Sequence, residues 1–124
     1  MRKLKEILQD ELKVLKELVA VSQKEQITLK TEDIKSLQSV TEVKADLSRR
    51  LAMLEQERGQ SPELNKMDKE IDQLKEALAN TVRELQEINE TNRLLTRQSL
   101  AYVKKILSLL KPDEQSSLKV DRIV

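Results

Sequence analysis

The stretch LNKMDKEIDQLKEALANTVRELQEINETNRLLTRQSLAYVKKILSLL, Leu64 to Leu110, contains neither Gly nor Pro, and its reading decides the fold. Apolar residues recur at Leu64, Met67, Ile71, Leu74, Leu78, Leu85, Ile88, Leu95, Tyr102, Ile106 and Leu109, with Thr81, Asn92 and Ser99 filling the gaps. The steps alternate between three and four, so 14 seam positions, 11 of them apolar, share one face of a long α-helix with coiled-coil periodicity. At 1.5 Å per residue that helix reaches roughly 70 Å. A rod of this length cannot bury its own stripe, and the rest of the chain is read for what covers it.

The boundaries follow from local chemistry. Ser61-Pro62-Glu63 reads as an N-cap, a proline at the first helical position and an acid in the first turn, so the long helix is expected over 62–111. Pro112 forbids continuation and leaves 112–124 as a tail. Upstream, Gly59 is the only glycine and suits a left-handed C-cap. It would close a helix over about 32–58 that carries Ile34, Leu37, Val40, Val43, Leu47, Leu51 and Leu54 on one face. A first helix over about 3–29 aligns Leu4, Leu8, Leu12, Leu15, Leu18 and Val19, with Ile7 and Val14 beside them. Its stripe fades between Ser22 and Asp33, where Thr31 followed by two acids reads as the next N-cap. No Gly or Pro enforces that break, so one continuous helix over 3–58 is the alternative. The expected fold is all-α: an antiparallel, coiled-coil-like bundle forming one domain over 1–111, with two shorter helices packed on one very long C-terminal helix. The second helix is expected to fold back along the N-terminal half of the third, and the first along the second.

Composition narrows the function. With 124 residues, 36% charged, one aromatic and a net charge of +1, the chain is suited to long helices and has no overall attraction to nucleic acid or anionic membrane. There is no Cys or His, which removes thiol and imidazole nucleophiles, zinc–thiolate sites and imidazole acid–base chemistry. One glycine cannot build a phosphate-cradling loop, and the carboxylates are spread along helical faces. No cofactor or metal and no enzymatic activity are expected. Neither a signal peptide nor a membrane span is read, so a cytoplasmic location is expected.

Lengths then point to a site. Two helices of about 27 residues, roughly 40 Å each, cannot sheath one of roughly 70 Å. The segment from about Asn89 to Lys111 is expected to project beyond them. Its candidate partner-binding residues are Leu94, Leu95, Arg97, Leu100, Tyr102, Val103, Lys104, Ile106, Leu107 and Leu110. Residues 62–90 carry eight acids and four bases, whereas 91–111 carry five bases and no acid. Burying eight such apolar side chains would contribute on the order of 10–20 kcal/mol gross, before ordering costs. A strip of this kind is covered by its own tail, by a second copy in a homodimer, or by an amphipathic, acid-flanked partner helix.

Glu32-Asp33-Ile34-Lys35-Ser36-Leu37, then Thr41-Glu42-Val43-Lys44, Leu47, Leu51, Leu54-Glu55 and Arg58, resembles the pattern of the FlgN flagellar export chaperones. Leu85, Ile88-Asn89, Asn92 and Leu94-Leu95 resemble that family's Asn-x-x-Asn-x-Leu segment. The resemblance implies a cytoplasmic bacterial chaperone. Its clients would be the hook-associated proteins of the hook–filament junction, gripped by their C-terminal helices and held unassembled before type III export. The export ATPase complex and the export gate are further partners such a chaperone could meet. A purely structural, self-associating coiled coil is the alternative. Asn92, on the seam, is expected to fix register rather than touch a client.

Overall fold

The structure, a computed structural model, describes residues 2–109, with the side chains of Tyr102 and Val103 outside the description. Three α-helices account for most of it: α1 Leu4–Thr31, α2 Ile34–Gly59 and α3 Lys69–Leu109. Among the described residues there is no strand. The molecule is the all-α helical bundle expected from the sequence.

The first break is real, but its chemistry is shifted by two residues. Thr31 belongs to the last turn of α1, where its hydroxyl donates to the Ile27 carbonyl at 2.9 Å. Glu32 turns the chain with φ 56° and ψ 33°, and Asp33 is the N-cap of α2, accepting from the Ser36 amide at 3.1 Å. Asp33, outside the helical region at φ -84° and ψ 86°, can turn its carboxylate onto the free amides of the first turn; Thr31, still helical, cannot.

The second break also departs from expectation. Gly59 is helical and no glycine has positive φ, so the chain leaves α2 through Gln60 in right-handed geometry. The long helix begins at Lys69 rather than 62. Ser61 accepts from the Glu63 amide at 3.2 Å, but residues 62–65 form only a turn. Asp68 then caps α3, accepting from the amides of Glu70 at 2.8 Å and Ile71 at 3.3 Å. Glu63 is used elsewhere: its Oε1 accepts from the Leu4 amide at 3.3 Å and caps α1, whose own N-cap Lys3 offers no side-chain bond. Met67 falls outside the helix and is 94% exposed, although the periodicity placed it on the seam.

The arrangement differs most from expectation in which helix lies at the centre. α1 packs along both α2 and α3, whereas α2 and α3 approach each other only marginally. Pairings fix the directions: Lys5 with Glu70 and Ser22 with Asn89 make α1 and α3 parallel, while Glu11 with Arg58 and Glu25 with Lys44 make α1 and α2 antiparallel. Width explains the choice. α1 buries Leu4, Ile7, Leu8, Val14, Leu15, Leu18 and Val19, a stripe broad enough for two neighbours; α2 fully buries only Val40 and Leu47. Non-helical residues 60–68 give the chain room to cross to the far side of α1.

Candidate partner-docking strip

The strip rests on a polar layer that closes the bundle. Asn92, 4% exposed, donates from Nδ2 to the Ser22 carbonyl at 2.9 Å and to Glu25 Oε1 at 2.8 Å. Lys44 Nζ donates to the same Glu25 oxygen at 2.9 Å and to Asn89 Oδ1 at 2.6 Å, and Ser22 donates to Asn89 Oδ1 at 3.3 Å. One cation, one carboxylate, two amides and a hydroxyl thus tie α1, α2 and α3 at one height, where low polarity strengthens each bond. The arrangement fixes register, since sliding any helix by a turn would strand these groups unpaired. The Asn92 Oδ1 accepts no bond among the described residues.

This layer corrects the extent of the expected overhang. Asn89 and Asn92 lie inside the bundle rather than at the start of a bare segment. α1 runs on from Ser22 to Thr31 beside α3, and cover therefore extends to about residue 100 at matched helical rise. Only the last turns of α3, to Leu109, project past both neighbours.

The expected site residues divide accordingly. Leu94 is 49% exposed on the outer side of the covered part, Leu95 is half-buried and Arg97 exposed. Half-buried Leu100 stands at the edge of the cover, and past it come half-buried Ile106 and Leu107, exposed Lys104 and Lys105, and Leu109 at 76% exposure. The side chains of Tyr102 and Val103, all of Leu110 and the tail 112–124 lie outside the described residues. Arg93 pairs with Glu90 at 2.8 Å, whereas Arg97, Lys104 and Lys105 have no ion-pair partner among the described residues. The last turns therefore carry Ile106 and exposed Leu109 beside cations that have no ion pair among the described residues.

Sequence reasoning missed Ser22 and Glu25. The signal was the fading stripe itself: 22 and 25 continue the heptad steps of α1 with polar residues, and that is the polar layer seen from α1. Among the described residues no helix is long and apolar enough to cross a membrane, and no group of side chains could hold a metal ion.

The profile of a family described as FlgN protein matches residues 1–119. No curated protein and no solved structure matches the chain.

Proposed function

This chain belongs to the FlgN family, the flagellar export chaperones, and on that premise we propose that its α3 tip grips the C-terminal helices of hook–filament junction proteins in the cytoplasm and holds them unassembled before type III export. The observation that carries the reading is the excess length of α3: its last turns outrun α1 and α2 and combine apolar side chains with bases that have no ion pair among the described residues. An amphipathic client helix flanked by acids would bury Leu100 and Ile106 and face Arg97, Lys104 and Lys105 with carboxylates. Occupying a client's assembly helix in this way prevents premature polymerisation without any bond being made or broken. The export ATPase complex or gate would then receive the pair.

Calorimetric titration with the C-terminal segment of a junction protein tests this. Leu100→Glu with Ile106→Glu should weaken binding at least about tenfold, since two charges enter an apolar contact, while circular dichroism shows nearly unchanged helix content. A fixed homo-oligomer that ignores such segments would instead make α3 a self-association helix and refute the chaperone role of the tip.

A further inference from the structure

On the other flank of the molecule, α1 and α2 enclose an open groove of about 360 Å³. That volume lies within the roughly 300–1,000 Å³ of ordinary ligand clefts. Val14 and Leu54 contribute its apolar lining, and Met53, 71% exposed, joins them. An exposed, unbranched thioether beside an apolar floor adapts its shape to what docks against it.

The charges around the groove are unevenly satisfied. Its two acids, Asp10 and Glu57, are both held by Arg2, which donates from Nε to Glu57 Oε1 at 2.8 Å, from Nη2 to Glu57 Oε2 at 2.9 Å and from Nη1 to Asp10. Its two bases, Lys13 and Arg50, are exposed and have no ion pair among the described residues. Among the described residues the groove therefore presents an apolar floor with two cations outside any ion pair, its negative charge already engaged.

We infer that this groove is a second docking site, which takes the acidic, leucine-bearing face of a partner protein's amphipathic helix. Carboxylates on such a helix pair with Lys13 and Arg50 while a leucine between them enters against Val14, Met53 and Leu54. The site does not depend on the reading of the α3 tip. Val14 lies two turns below Ser22, and the tip lies above it, so roughly 30 Å separates the two along the bundle axis. A chaperone so built holds two proteins at once, a client at its tip and a second component at its flank.

The experiment uses the full chain, isotope-labelled, titrated with a short synthetic Leu/Glu amphipathic peptide and with a Leu/Lys peptide of the same pattern. The Leu/Glu peptide should shift the resonances of Lys13, Arg50 and Met53 saturably, and the Leu/Lys peptide should leave them in place. Lys13→Glu with Arg50→Glu should weaken that response at least about tenfold, whereas Lys104→Glu with Lys105→Glu should leave it unchanged. Lys13→Gln with Arg50→Gln, which adds no like-charge repulsion, should weaken it to an intermediate degree and guards against a folding defect in the reversed variant. Shifts confined to α3 beyond Thr96, or equal shifts with both peptides, overturn the inference without touching the tip proposal. A dimer seen by sedimentation and dissolved by Lys13→Glu with Arg50→Glu also overturns it, since the groove would then be filled by a second copy.

Discussion

Glu32 holds a left-handed φ of 56° without being glycine, while Gly59 sits in a helix with nothing within 4 Å of where a Cβ would stand. The chain thus carries its flexible residue where it is not required and a side chain where it is strained. Glu32→Gly should raise stability by about 1 kcal/mol by relieving that strain. Gly59→Ala should raise it by about 0.5–1 kcal/mol through helix propensity. Urea melts of the two variants and their combination check both, and the sites are far enough apart for the effects to add. Glu11 is a different kind of cost. It is 2% exposed, meets Arg58 at 3.3 Å with one oxygen, and has no partner for Oε1 among the described residues. Burial pushes its carboxyl above the usual range, Arg58 opposes the shift, and nearby Glu55 adds to it. The folded chain therefore holds that proton more tightly than the unfolded one, and the stability it contributes is full at low pH and lost as pH rises through the folded value. Asp33, bonded by Ser36, and Glu57, bonded by Arg2, are lowered and act in the opposite direction, lost as pH falls. Glu11→Gln should accordingly melt later than the parent chain at pH 7, with the gap closing toward about pH 4.

At the scale of the helices, α1 is the core and α2 its cover. Leu15, 3% exposed, belongs to the buried cluster that Leu47 of α2 and Ile71 and Leu78 of α3 complete, so Leu15→Ala should cost about 2–5 kcal/mol. Leu54 on α2 is half-buried beside the open groove, and Leu54→Ala should cost less than about 2 kcal/mol. Equal losses in denaturant melts would contradict the central position of α1. Amide exchange offers a second check: α2, with two fully buried apolar residues over 26, should open before α1.

At the scale of the whole molecule, the proposed docking rests on unequal rods. α3 spans 41 residues against 28 and 26, and the parallel register of α1 with α3 sends all the excess to one end. Changing the charge of that exposed end should alter partner binding and leave the bundle intact. Lys104→Gln with Lys105→Gln should therefore reduce the salt dependence of client binding, Arg97 keeping the rest, while the melting temperature moves little, which titrations at low and high ionic strength would show.

The helical class, the break near residue 32 and the apolar, cationic end of α3 were legible in the sequence because each is a local property: a period, a cap, a run of like charge. Leu100, Lys104 and Ile106 could be proposed as part of a docking strip from spacing and charge alone. The order of packing was not legible. Whether α1 or α2 lies against α3 depends on which stripe is wide enough for two neighbours, and that comparison is settled only when all three compete for the same apolar surface. The polar layer was hidden for the same reason. Ser22 and Glu25 looked like the end of a stripe until Lys44, Asn89 and Asn92, distant in sequence, arrived at the same height to bond them.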